Sequence, residues 1–188
     1  MSQFRHRTGA QVPRSADPST NVWLFAGGSL TARLRAHGTV EVVVVRQGAS
    51  ALWLAEQRDL TCRCVYACEV ILLLNGRAAV WARSVAPLPA FHGAWKSLAG
   101  LGTRPLAELL FKGRSLDRDA LVPRRLLRHG PESRWVRPST VVAGHVENPL
   151  VQPTCGRSSM FWRKGQPLRV FEAFAPWVTQ LPTPRTGQ

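Results

Sequence analysis

Residues 61–85 read Thr-Cys-Arg-Cys-Val-Tyr-Ala-Cys-Glu-Val-Ile-Leu-Leu-Leu-Asn-Gly-Arg-Ala-Ala-Val-Trp-Ala-Arg-Ser-Val. Two apolar, β-rich runs flank Asn75-Gly76. Asn-Gly in that place is the strongest short hairpin signal, because a type I′ turn needs positive φ at both central positions. The reading is a strand from about Thr61 to Leu74, a tight turn, and a strand from Arg77 to Val85, closed by Pro87 and Pro89. If both strands run unbroken from a two-residue turn, Leu74 faces Arg77 and Cys68 faces Arg83 on one face of the sheet.

The flanking sequence extends this picture. Upstream, Ser29 reads as the N-cap of a short helix in which Leu30 and Leu34 share a face, ended by Gly38. Thr39 to Arg46 contains four consecutive valines and reads as a strand bounded by Gly48. Downstream, Ala94 to Gly100 and Pro105 to Lys112 read as short helices, the second with Pro in its first turn and Gly113 just past its end. Leu116 to Arg128 has helical spacing interrupted by Pro123, and Trp135 to Gly144 reads as a strand. A last hairpin joins Ser158–Trp162 to Leu168–Ala175 through Lys164-Gly165-Gln166. Strands joined by hairpins, with helices grouped between them, indicate an α+β layer fold on an antiparallel sheet. Residues 1–20 are expected as a disordered basic arm, 21–178 as a single domain and 179–188 as a tail.

The chain has 188 residues, with 25 basic against 11 acidic side chains, a net charge of +14. Of the basic residues 22 are arginines, and they are scattered over the arm, strands, helices and tail rather than gathered on one helix or interleaved with aromatics. That dispersal argues against a nucleic-acid partner and fits attraction of a small anion. No apolar run approaches the ~20 residues of a membrane-spanning helix. The Met1 end lacks the apolar stretch of a secretory signal. A cytoplasmic protein is expected. Cys62, Cys64 and Cys68 have a spacing unlike that of a zinc site, and on a strand they lie in a row on one face instead of converging. They read as small hydrophobes, with no metal expected.

Several stretches are more than generic. Trp23-Leu24 and Ser29-Leu30-Thr31 are followed by Val45-Arg46-Gln47-Gly48, Glu69-Val70-Ile71-Leu72-Leu73 and Trp81-Ala82-Arg83-Ser84-Val85-Ala86-Pro87. Leu101-Gly102-Thr103-Arg104-Pro105-Leu106, Gly156-Arg157-Ser158, Gly165-Gln166-Pro167-Leu168 and Phe171-Glu172-Ala173-Phe174-Ala175-Pro176 complete the series. In this order the set resembles chorismate lyase over about residues 22–177.

The resemblance implies a single domain whose antiparallel sheet, of about six strands, is covered by helices around an internal ligand pocket. It implies a cofactor-free lyase in which chorismate loses its enolpyruvyl ether as pyruvate and aromatises to 4-hydroxybenzoate, for ubiquinone synthesis. A monomer with no partner beyond substrate and product is expected. Position by position, the family's pocket methionine falls at Leu30, its pocket leucine at Leu106, and its late acidic residue, used on the ring hydroxyl, at Glu172. The family arginine that grips the ring carboxylate falls at Cys68. A thiol cannot replace a bidentate guanidinium, and desolvating a carboxylate without a cation costs several kcal/mol. The hairpin register makes Arg83 the expected substitute, with Arg157 as another candidate. Glu172 also stands out from the residues alone. It shares a strand face with Leu168, Val170 and Phe174, and a carboxylate on an apolar face must be paired or functional. The alternative to an enzyme is a diverged module of this fold that binds an aromatic acid without turnover, as in the effector domains of certain bacterial transcription regulators.

Overall fold

The computed structural model describes residues 17–111, 116–126, 130 and 153–182. Its centre is an antiparallel sheet in the order β1-β2-β3-β7-β6-β4, with β5 also paired to β6. The strands are β1 (Val40–Ala51), β2 (Cys64–Leu74), β3 (Arg77–Pro87), β4 (Asp117–Arg118), β5 (Val122–Arg125), β6 (Cys155–Arg163) and β7 (Gln166–Phe174). The helices are α1 (Pro18–Phe25), α2 (Leu30–Arg35), α3 (Leu88–His92) and α4 (Leu106–Phe111). The α+β fold on an antiparallel sheet is therefore as expected, with seven strands among the described residues where about six were expected.

Both hairpins close as their turn residues require. Asn75 and Gly76 have φ of 51° and 77°, and Lys164 and Gly165 have 51° and 71°. The type I′ turn thus fixes β2 against β3 and β6 against β7. Asn75 does further work: its Oδ1 accepts from Thr39 N at 2.9 Å, and its own N–H donates to Thr39 O at 2.9 Å. Those two bonds dock the start of β1 beside the turn. Ser29 caps α2, its Oγ accepting from Ala32 N at 3.1 Å, and Leu30 and Leu34 are buried on the inner face.

Two bulges set which side chains face which way. Val44 pairs with Val70 but Arg46 with Glu69, so Val45 is an extra residue in β1. Leu73 pairs with Ala78 but Leu72 with Val80, so Ala79 is an extra residue in β3. An inserted residue moves every later side chain to the opposite face. Cys68 consequently lies opposite Ser84, and Arg83 lies opposite Glu69. The expected Cys68–Arg83 pairing does not form, because it assumed a hairpin without a bulge.

Other departures have local causes. Leu116 to Leu126 is not helical and supplies the short strands β4 and β5, both paired with β6, while the end of the expected helix, 127–128, lies outside the described residues. Pro123 cannot donate within a helix and biases Val122 toward an extended conformation. Pro89 does not simply end a strand but starts α3, where its fixed φ suits the first turn. The stretch Ala94–Gly100 holds a 3₁₀ turn at Lys96–Leu98 in place of an α-helix. Helix α1 opens at Pro18, inside the stretch read as an arm. Val178–Gln180 form a 3₁₀ turn with Thr179 buried, so the packed chain runs past residue 178. The strand expected at Trp135–Gly144 and the helix end at Lys112-Gly113 lie outside the described residues. No described helix is long and apolar enough to cross a membrane.

The sheet has two differently covered faces. On one, Ala86, Val170, Leu168 and Phe161 pack with Ala90, Trp95, Leu98 and Leu110 from the helical segment 88–110. On the other, Val65, Ala67 and Val85 pack with Leu60. The candidate site belongs to the first face.

Candidate active site

Two cross-strand rows floor a cavity on that face. Val70, Ala82 and Glu172 stand side by side on β2, β3 and β7, and the next row is Cys68, Ser84 and Val170. Leu30 and Thr31 of α2 form one wall, and Leu98, Leu101, Pro105, Leu106 and Leu110 form the roof. Phe161 of β6 and Arg118 of β4 close the far side. The lining is mostly apolar, with a few convergent polar groups, as small-molecule sites generally are. The structure therefore brings Leu30, Cys68, Leu106 and Glu172 to one cavity.

Arg83 is not among them. Its guanidinium lies on the opposite sheet face, fully buried. Nε donates to Glu56 Oε1 at 2.7 Å, Nη1 pairs with Glu69, and Nη2 donates to Ala51 O at 3.1 Å. The guanidinium also sits 4.3 Å over the Trp53 ring. Arg83 is a structural cation with its own carboxylates, and the sheet backbone separates it from the cavity. The expectation that it replaces the missing arginine is corrected by the bulge at Ala79.

Glu172 has a different partner. It pairs with Arg157 across β6 and β7, Arg157 Nε donating to Glu172 Oε2 at 2.5 Å. Arg157 is 1% exposed, and its Nη1 also donates to the carbonyls of Trp23 at 2.9 Å and Ala26 at 2.7 Å. Those carbonyls belong to the C-terminal end of α1, where helix acceptors lack intrahelical donors and a cation is favoured. The Glu172 side chain keeps 17% exposure, and its Oε1 makes no hydrogen bond among the described residues. One oxygen is thus anchored and the other is free to accept from a ligand in the cavity. Arg157 holds a carboxylate, as sequence reasoning considered, but the protein's own.

Arg118 was not foreseen. It lies opposite Phe161 in the β4–β6 pairing, its guanidinium 4.9 Å from that ring's centroid. Burial lowers its pKa, Glu172 raises it and Arg157 lowers it, which places the three groups in one electrostatic neighbourhood. The signal was obscured in the sequence because residues 116–128 carry helical spacing. As for Cys68, burial first and the Glu69 charge second push its thiol pKa up. A neutral thiol therefore stands at the position where the family resemblance implies a carboxylate-binding arginine.

The family profile for chorismate lyase matches residues 10–180. The chain belongs to the chorismate lyase family. It is 37% identical over 169 residues to a probable chorismate pyruvate-lyase of Bordetella avium, covering 88% of this chain and 81% of that protein. It is 33% identical to a probable chorismate pyruvate-lyase 1 of Pseudomonas fluorescens, covering 84% and 83%. Among solved structures, the C-terminal domain of the histidine utilization repressor from Pseudomonas syringae pv. tomato shares the fold, with a TM-score of 0.52 at 14% identity over 79% of this chain and all of that one. A transcriptional regulator of the GntR family from Bacillus cereus does so at 0.50 and 10% identity, over 78% and 99%. The chorismate lyase fold thus has the same sheet architecture as these regulator domains.

Proposed function

We propose that this chorismate lyase family member converts chorismate to pyruvate and 4-hydroxybenzoate, and that the product serves ubiquinone synthesis. The observation that carries this reading is the half-anchored carboxylate of Glu172 facing a largely apolar cavity that Leu30 and Leu106 also line. In chorismate the enolpyruvyl ether sits on the ring carbon next to the one bearing the hydroxyl. The ring–oxygen bond of that ether breaks, the hydroxyl-bearing carbon gives up its hydrogen, and the enolpyruvyl methylene gains one as pyruvate forms. The atoms balance within chorismate itself, with no outside oxidant or reductant.

Glu172 Oε1 accepts a hydrogen bond from the ring hydroxyl, and this bond strengthens as the ring aromatises and the hydroxyl becomes more acidic. Arg157 keeps Glu172 aimed, since the pairing fixes Oε2 and leaves Oε1 as the acceptor. Leu30, Leu106 and the rest of the apolar wall hold the ring away from water in a reactive conformation.

Incubating the purified protein with chorismate and following pyruvate through a coupled lactate dehydrogenase assay tests the reading, with 4-hydroxybenzoate expected in equal amount. A second reading, an aromatic-acid-binding module without turnover, draws support from one observation, the neutral thiol at Cys68. Binding of 4-hydroxybenzoate with no pyruvate from chorismate would select it.

A further inference from the structure

We propose that Arg118 binds the enolpyruvyl carboxylate of chorismate, the carboxylate that departs as pyruvate. This inference rests on the lyase reading. It starts from an imbalance of charge in the cavity. Chorismate brings two carboxylates, and burying either in an apolar site without a cation costs several kcal/mol.

The arginines near the sheet differ in how fully their donors are used. Arg83 is engaged with Glu56 and Glu69, Arg157 with Glu172, and Arg169 with Asp59. Arg104 lines the cavity but is exposed, and it folds back onto its own loop through Gly100 O at 2.7 Å. Arg118 has no ion pair among the described residues. Beside the Phe161 ring, its hydrogen bonds among the described residues are long, Nε to Ser159 Oγ at 3.3 Å and Nη1 to Gly28 O at 3.5 Å. A guanidinium has five N–H donors in a planar fork suited to a carboxylate, so Arg118 retains unused donors. It is half-buried, and it contributes to the cavity lining together with Gly28, Phe161 and Glu172.

Position selects which carboxylate it takes. Arg118 and Glu172 lie on the same side of the cavity, close enough for Glu172 to affect the Arg118 proton affinity. With Glu172 on the ring hydroxyl, the ether on the adjacent ring carbon falls on that side too. The ring carboxylate lies across the ring from the hydroxyl. It therefore points toward β2, where Cys68 stands two strands from Glu172, ~10 Å at ~4.8 Å per strand. Arg118 reaches the leaving group and not the ring carboxylate. Glu172 is already matched by Arg157, so the remaining positive charge of Arg118 meets the incoming anion.

Arg118 is then a binding residue whose ligand contact exists in substrate but not in product. The test is Arg118→Gln and Arg118→Lys, both first shown to melt within a few degrees of the wild type. Chorismate affinity is taken from the KM of pyruvate release, or from titration calorimetry where no turnover occurs, and 4-hydroxybenzoate binding is measured separately by titration calorimetry. The Gln variant is expected to weaken chorismate binding and raise its KM tenfold to a hundredfold. It should leave 4-hydroxybenzoate affinity within about twofold, and the Lys variant should recover part of the loss. Unchanged chorismate affinity in Arg118→Gln overturns the proposal, as does an equal loss for both ligands. If wild type binds chorismate but releases no pyruvate, the lyase reading fails while the two affinities still decide the role of Arg118.

Discussion

Arg157 and Glu172 face each other on adjacent strands, Nε 2.5 Å from Oε2, with the arginine otherwise buried under the end of α1. The pair makes Glu172 both a structural and a functional residue, so the choice of substitution matters. Glu172→Ala would strand a buried guanidinium and cost roughly 3–5 kcal/mol of stability. Glu172→Gln keeps an acceptor for Arg157 but removes the charge. It is expected to fold with a modest loss of melting temperature and to lower kcat by roughly 10²-fold or more. Steady-state pyruvate release alongside calorimetric melting checks both statements, and full activity in Glu172→Gln would remove the carboxylate from the reaction.

Arg83 should behave in the opposite way. Its bond to Glu56 holds the 53–60 segment against the sheet face remote from the cavity, its bond to Glu69 ties β3 to β2, and Glu56 is itself fully buried. Removing Glu56 leaves Arg83 with less compensation, so Glu56→Ala is expected to destabilise the fold by about 3–5 kcal/mol. Urea unfolding measures this. Below the unfolding transition the variant should retain a chorismate KM within about twofold of wild type, because neither residue lines the cavity.

The contrast between these two arginines shows what the sequence can convey. Asn75-Gly76 was readable as a turn because both positions need positive φ, the second turn was read one residue too long because Gln166 already belongs to β7, and the strand face of Glu172 was readable from alternation with Val170 and Phe174. The bulge at Ala79 was not. One extra small residue in Arg77-Ala78-Ala79-Val80 leaves no compositional mark, yet it sends Arg83 to the wrong face for a ligand. Arg118 was hidden for a related reason: β4 and β5 are too short to establish alternation, and their pairing with β6 is a long-range contact. The Leu30 and Leu106 positions came from family resemblance alone, and their convergence with Glu172 on one cavity required the fold.

The Cys68 position makes a further expectation. If the ring carboxylate points toward β2 without a cation, Cys68→Arg should tighten 4-hydroxybenzoate binding by about tenfold, or roughly 1.4 kcal/mol. Cys68→Ser, nearly isosteric and uncharged, should leave it unchanged. Titration calorimetry on both variants checks this, and weaker binding to the Arg variant would place the ring carboxylate elsewhere.

The thiols give a pH signature. Burial raises the Cys68 pKa, and pushes that of Cys155 up from 9.0 to about 11, while Cys64 is exposed. Thiolates are the reactive form, so iodoacetamide at neutral pH should label Cys64 well before Cys68 or Cys155. For Cys155 the sign follows from linkage: a folded pKa above the unfolded value contributes stability that is fully present below pH 9.0 and is lost as pH rises toward about 11. Urea midpoints measured from pH 8 upward should therefore fall across that window in wild type and fall less in Cys155→Ala.

The most direct measurement is pyruvate release by the wild-type protein supplied with chorismate alone, followed together with 4-hydroxybenzoate by chromatography. Pyruvate and 4-hydroxybenzoate appearing in equal amounts, and both lost in Glu172→Gln, is the expected result. Chorismate or 4-hydroxybenzoate bound in the cavity with no pyruvate formed would contradict it and leave a binding module in place of a lyase.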